Sequence, residues 1–385
     1  MLVLRRLFCN WEESDMVEMK TLGEVTTIIR GNRVTKADLV ENGEYPVISG
    51  GVNPLGYIDK TNREPNTITI AQYGTAGYIN IQRTKFWAND VCYSVYPKEG
   101  VHNEYLYYAL MNVQDYIYSL KTNAVPAHLP LASLQDVQIP IPSKSEQERI
   151  VSILDTFTSS ISNLKEQIKE RRKQYEYYRD QLLDLEGKDG VEMKTLGEIF
   201  SFKNGLNKGK DYFGKGKLII MFSNVFNSRY IDSTMLKNRV DINNNELERI
   251  NANKGDVFFT RTSETKEDVG YASVLLEDIK ECTFAGFLIR ARPILNVFIP
   301  EYCKYCFSTQ KVRESIVCRS SFTTRASLTG NGLGKVEIPI PPKQTQSRIV
   351  TILDQFEASI ANLEAQLKER EKQYEYYRNQ LLTFE

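Results

Sequence analysis

The chain has 385 residues, 49 Lys and Arg against 49 Asp and Glu, and 41% apolar residues. That length suffices for two or three domains that each bury a core. The even charge gives no global pull toward nucleic acid, and no apolar run approaches a membrane span. Six cysteines, Cys9, Cys92, Cys282, Cys303, Cys306 and Cys318, are unevenly placed. This argues against a disulfide framework and makes a reducing cytoplasm the expected location.

Residues 1–16 precede the first repeated word and are expected to form an extension outside the repeat. Their opening is too short and too interrupted by arginine for a signal peptide, and a start at Met16 or Met19 would leave the architecture intact. The repeat begins at Val17-Glu-Met-Lys-Thr-Leu-Gly-Glu24, which returns as Val191-Glu-Met-Lys-Thr-Leu-Gly-Glu198.

Residues 17–142 read as a first globule of α+β character. Runs such as Thr67–Ile70 and Val91–Val95 suit strands between Gly, Asn and Pro turns. A helix is expected from Asn103 to about Tyr118, with Leu106, Leu110, Val113 and Ile117 on one face. A second globule, 188–341, repeats the order, with strand-like Lys217–Phe222, Asp256–Thr260 and Gly286–Arg290 and then a helix from about Pro300 to Val317. The two globules have largely different sequences. Between Lys194 and Pro341 about 22 Lys and Arg face about 16 Asp and Glu, against about 10 and 11 from Lys20 to Pro142, so any attraction to phosphate leans on the second globule.

Each globule ends in Ile-Pro-Ile-Pro, residues 139–142 and 338–341, whose prolines keep the chain extended before a helix can begin. The period then changes to a 4-3 alternation over two helical spacers, 143–187 and 342–385. In the first the seam runs through Ile150, Leu154, Phe157, Ile161, Leu164, Ile168, Arg171, Tyr175, Tyr178, Leu182 and Leu185. The second reads Ile349, Leu353, Phe356, Ile360, Leu363, Leu367, Arg370, Tyr374, Tyr377, Leu381 and Phe384. From Pro140 to Leu183 and from Pro339 to Leu382, about thirty of forty-four aligned residues are identical. Ser145 with Glu148 reads as a capping box, and Gly187 as a stop signal.

A rod with so many apolar seam residues cannot stand alone, because each fully buried Leu, Ile or Phe is worth about 1.5–3 kcal/mol. The expected solution is an antiparallel coiled coil between the two helices, both already present in one chain, with an approximate internal two-fold axis and one globule toward each end; a parallel coil between two chains is the alternative. Arg171 and Arg370 interrupt the seam at equivalent places. They either snorkel past apolar surface or fix the register.

Other motifs carry less. Gly209-Lys-Asp-Tyr-Phe-Gly-Lys215 has the spacing of a phosphate-binding loop, but Gly216 stands where Ser or Thr must hold magnesium. Cys303-Lys-Tyr-Cys306 lacks a second ligand pair for zinc. Aligning Glu301-Tyr302 with Glu104-Tyr105 puts both cysteines on apolar helix positions. His102 and His128 have no partners in a recognisable catalytic arrangement. No metal site, cofactor loop, methyltransferase word or nuclease cluster appears, so no catalytic residue is expected.

Two diverged globules joined by two near-identical helices resemble the DNA-specificity subunits of type I restriction–modification systems. The words that carry the resemblance are the two Pro-Ile-Pro-x-x-x-x-Gln-x-Arg-Ile-Val-x-Ile-Leu-Asp passages (140–155 and 339–354) and the Tyr-Glu-Tyr-Tyr-Arg repeats. Tyr45–Ile48, Gln72–Gly77 and Glu104–Leu106 in the first globule look like the family's target-recognition domain, as do Gly255–Thr265 and Gly286–Arg290 in the second.

The resemblance implies a non-catalytic subunit that binds double-stranded DNA, each globule reading half of a bipartite target. It implies two adenine-methyltransferase (modification) subunits as partners, to which restriction subunits can add. S-adenosylmethionine, ATP and magnesium would sit on those partners, with no cofactor in this chain. A complex that only methylates and a coiled-coil scaffold whose globules bind proteins are the alternative readings.

Loop residues suited to base edges and phosphates are the candidate DNA contacts. They are Gln72, Tyr73 and Thr75 in the first globule and Asn224, Arg261, Thr262, Ser263 and Thr265 in the second. Lys203, Lys208, Lys210 and Arg325 are candidates on charge. Each is also suited to a turn or cap that satisfies only its own backbone.

Overall fold

The computed structural model describes residues 17–384, so the expected extension at 1–16 lies outside the described residues. The chain forms two compact units. One takes the described chain through Glu166 and again from Ala365; the other is Gln167–Glu364. Each long helix is therefore shared between the units.

In the first unit the opening repeated word has a local physical basis. The Thr21 backbone N–H donates to Glu24 Oε2 at 2.7 Å while the Glu24 N–H donates to Thr21 Oγ1 at 3.3 Å. This reciprocal cap starts the short helical turn Leu22–Val25. The preceding strand, Glu18–Thr21, pairs antiparallel with Gln138–Ile141, Glu18 opposite Ile141 and Thr21 opposite Gln138. A ladder of only two strands tolerates Pro140, whose missing N–H can point away from its neighbour. The two ends of the globule are thus stitched together by words that both belong to the repeat.

The main sheet runs in the order Thr26–Arg30, Cys92–Pro97, Thr67–Ala71, Ile79–Gln82. A smaller sheet of Tyr57–Ile58, Tyr45–Ile48 and Trp87–Ala88 has its own cluster of Val34, Val47 and Ile58. Helix Asn103–Asn112 buries Tyr105, Leu106, Tyr108, Ala109 and Leu110. The single helix expected to about Tyr118 is broken at Val113, and a second segment follows at Gln114–Ser119. Gln114 explains the break: its amide donates to Gly77 O at 2.6 Å and accepts from Ile79 N at 3.2 Å, holding the second segment to the sheet.

The second unit builds the same frame from other residues. Thr195 and Glu198 repeat the cap, and Glu192–Thr195 pairs with Glu337–Ile340. Its sheet order is Phe200–Asn204, Leu288–Pro293, Val257–Thr260, Ala272–Leu275, Tyr230–Ile231, and the first four strands take the same sequential places as the four of the first unit. The helix expected from Pro300 to Val317 is also two, Pro300–Cys306 and Gln310–Cys318. Thr309 breaks it by acting as a fresh N-cap, its Oγ1 accepting from Val312 N at 3.3 Å. Cys303 and Cys306 are buried.

The long helices are Lys144–Leu183 and Lys343–Leu382, 40 residues each, or about 60 Å. The expected Ser145–Glu148 capping box is displaced by two residues: the Ser143 hydroxyl accepts from Glu146 N at 3.4 Å. In the second copy Pro342 occupies the equivalent place. Leu185 and Phe384 fall beyond the helix ends, and Gly187 adopts φ +73° past the first.

Within each unit the helical segments pair antiparallel. In the first, Phe157 stacks on Tyr377 with ring centroids 5.2 Å apart, and Lys165 lies 3.1 Å from Glu371. In the second, Arg172 reaches Glu364 at 2.6 Å, and Tyr178 stacks on Phe356 at 5.5 Å. Leu154, Phe157, Ile168, Tyr175, Leu353 and Leu381 are buried, whereas Ile161, Leu164, Leu182, Phe356, Ile360, Leu363, Leu367 and Tyr374 are half-buried. Arg171 lays its guanidinium over the Phe356 ring at 5.9 Å, and Arg370 over Phe157 at 5.7 Å. Both arginines therefore pack along the seam over an aromatic ring.

Candidate nucleic-acid interface

In the second globule the sequence between Thr260 and Leu328 folds a small sheet onto the edge of the core. Thr262–Ser263 pairs with Ala326–Ser327, which pairs with Ser321–Phe322. The turn of the last hairpin carries Arg325 into solvent, 4.0 Å from Glu264. A groove of about 420 Å³ opens beside this sheet, lined by Thr262, Ser263, Glu264, Thr265, Asp268 and Arg325 together with Phe222, Phe226 and Phe287.

Four residues expected from sequence, Thr262, Ser263, Thr265 and Arg325, are brought together here. The hydroxyls supply short donors and acceptors, the guanidinium a planar fork, and the phenylalanines apolar surface; base edges offer counterparts to all three. Thr265 Oγ1 donates to Asp268 Oδ2 at 2.6 Å, which fixes the loop that holds it. Arg261 stands behind the groove, its backbone N–H donating to Phe287 O at 2.8 Å and its guanidinium 3.4 Å from Gly286 O.

Phe287 is 60% exposed and Phe322 54% exposed. The sequence does not mark Phe287, because an aromatic in a strand-like run reads as core. Nothing in Gly286-Phe-Leu-Ile-Arg290 marks it: Phe287 lies one residue before the strand Leu288–Pro293, whose first four residues are all buried, and only the fold leaves it outside.

The remaining candidates of this globule lie outside the lining of that groove. Asn224 spends its amide on the backbone, accepting from Met221 N at 2.8 Å and donating to Met235 O at 3.1 Å. Lys208 is held 2.6 Å from Glu246 and 4.6 Å from the centre of the Tyr212 ring, and Glu246 in turn holds its pKa above the ordinary lysine value. Lys203 and Lys210 are exposed. In the loop 209–215, Lys215 lies 3.2 Å from Asp241.

In the first globule Gln72, Tyr73 and Thr75 share one tight loop. The Thr75 N–H donates to Gly50 O at 2.8 Å, and a Cβ on Gly50 would sit 2.4 Å from Tyr73 O, so this crossing requires glycine. Tyr73 stacks on His128 with centroids 5.3 Å apart, and Thr75 is exposed. Gln72 is only 8% exposed, and its Oε1 has no hydrogen-bond partner among the described residues. Its backbone is fixed on both sides, N–H to Val91 O and carbonyl from Leu129 N.

No group of His, Cys, Asp or Glu among the described residues is arranged to hold a metal ion, and no described helix is long and apolar enough to cross a membrane.

A globule whose ends are stitched by repeated words, with a polar and aromatic groove on a loop-built edge, defines a recognition module carried on a long helix. The type I restriction modification DNA specificity domain matches this chain twice, over residues 14–171 and 188–372. The chain therefore belongs to the family of type I restriction–modification DNA specificity subunits. It is 30% identical over 402 aligned residues to a putative type I restriction enzyme specificity subunit of Haemophilus influenzae, covering 97% of each chain. It is 32% identical to the EcoR124I/EcoR124II specificity subunit of Escherichia coli over 66% of this chain and 64% of that one. In fold it is similar to the S subunit of M. genitalium, with a TM-score of 0.63, 19% identity and 98% of both chains covered.

Proposed function

We propose that this chain is the non-catalytic sequence-reading subunit of a type I complex in which each globule reads one half of a bipartite DNA target. The observation that carries this reading is a contrast. The two globules share a sheet order, a cap and a two-stranded stitch, yet their loop sequences differ. Two surfaces that read different bases must differ, whereas helices that meet two copies of one partner must match.

The partners are two adenine-methyltransferase subunits, which bring S-adenosylmethionine; restriction subunits, where present, bring ATP and magnesium. The assembled complex works in the cytoplasm and exposes target adenines by extruding them from the duplex. This chain contributes base contacts through the groove around Thr262, Ser263, Thr265, Arg325 and Phe287, and through the loop at 72–77. Methylome sequencing of cells with and without the gene tests the reading. Loss of one bipartite adenine-methylation motif is expected, and an unchanged methylome would refute it.

A further inference from the structure

The shared Pro-Ile-Pro-x-x-x-x-Gln word hides a device that the family resemblance does not explain. Gln147 and Gln346, its glutamines, are 1% and 0% exposed although each lies on the first turn of a long helix. Gln147 Oε1 accepts from His102 N at 2.8 Å, and its Nε2 donates to Gly100 O at 3.1 Å and Pro142 O at 3.0 Å. In the other unit Gln346 Oε1 accepts from Ile299 N at 2.9 Å, and its Nε2 donates to Val297 O at 2.8 Å and Pro341 O at 2.9 Å.

The two sets are the same bonds made to different sequences. Both amide hydrogens and the carbonyl oxygen are used, and every partner is a backbone atom. A buried amide so fully matched holds one orientation, since turning it would strand several polar groups without partners. Because it touches only backbone, it can hold any recognition domain that brings the chain to that place, whatever its side chains. A second contact lies on the same helix, two turns on: Tyr108 donates to Asp155 at 2.6 Å and Tyr305 to Asp354 at 2.5 Å.

We propose that Gln147 and Gln346 are positioning residues that fix the angle at which each recognition domain meets its long helix. They thereby fix the number of unread base pairs between half-sites. This rests on the bipartite reading proposed above. Neighbouring spacers differ by about 3.4 Å and roughly one-tenth of a duplex turn, so a domain allowed to rock on its helix would reach sites one base pair longer or shorter. The bases read within each half-site would stay the same.

The test uses the full chain assembled with its modification subunits. Gln147→Met keeps the length of the side chain and removes all three hydrogen bonds. His102→Pro removes one bond from the opposite side, at a residue whose φ of −74° suits proline. Methylation is read on a library holding both half-sites at graded spacings. Both variants are expected to methylate sites one base pair longer or shorter than the parent spacer, with unchanged half-sites. Methylation confined to the parent spacer in both variants would overturn the proposal, as would loss of all methylation with an unfolded first domain, since the glutamine would then serve stability alone. If the parent complex marks a single bipartite motif and the variants do the same, only this inference fails. If the parent marks no bipartite motif, the bipartite reading fails and takes this inference with it.

Discussion

Arg325 and Phe287 show at the scale of single residues why a candidate recognition groove is only half legible in a sequence. Arginine at a hairpin turn is a natural candidate for a base or phosphate because its fork suits both, and the structure places it in the groove wall. Phenylalanine carries no such mark, and Phe258, Phe259 and Phe284 of the same globule are fully buried. Only the fold tells Phe287 from these. Arg325→Ala is expected to cost about 1–3 kcal/mol of discrimination at one position of the second half-site and to leave the first half-site unaffected. Phe287→Ala should change unfolding free energy by less than about 0.5 kcal/mol, as for an ordinary surface site, while weakening binding to the same half-site. Competition binding with single-base variants of the target decides both. An effect of either variant on the first half-site would remove the groove from the recognition surface of the second domain.

Among the elements, the long helices were the most legible, because a 4-3 alternation over five heptads has no other physical solution than a paired helix. Their starts were less so: Ser143 and Ser145 both suit a cap, and only the backbone decides that Ser143 accepts from Glu146. The helices of the globules break at Val113 and Phe307, where the sequence pattern predicts continuity, for another reason. Apolar periodicity continues through both breaks, while Gln114 and Thr309 impose local hydrogen bonds that end one segment and begin the next. The strands Thr26–Arg30 and Phe200–Asn204 are hard to read from sequence because their alternation is weak, two of five residues in each being wholly or partly buried. Arg171 and Arg370 allow a test of the seam itself. Since each lies over a phenylalanine ring, Arg171→Leu should replace a cation–π contact of about 0.5–1 kcal/mol by apolar burial at a half-buried position, a share of the about 1.5–3 kcal/mol of a fully buried Leu. The unfolding midpoint in circular dichroism should rise, with a single monomeric species in light scattering. A mixture of oligomers would instead show that the arginine specifies register.

At the scale of the whole molecule, the repeat is best understood as two sets of supports for two interchangeable surfaces. Glu18–Thr21 and Gln138–Ile141, the Thr21–Glu24 cap and Gln147 all belong to repeated words, and in each unit they hold backbone rather than recognition side chains. Such supports leave the loops free to diverge while the helices stay the same. If the helices also act as the spacer between half-sites, their length has a measurable consequence. Deleting seven residues at equivalent positions of both helices removes about 10.5 Å of rise, equal to roughly three base pairs at about 3.4 Å each, and keeps the seam in phase to within about 20°. Three base pairs turn the duplex by nearly a third of a turn, so the shortened complex must twist its target to engage both halves. The expected methylome therefore keeps both half-sites, loses about three base pairs from the spacer and shows slower methylation than the parent. Retention of the parent spacer would show that length is set elsewhere, and altered half-sites would show that the helices take part in reading bases.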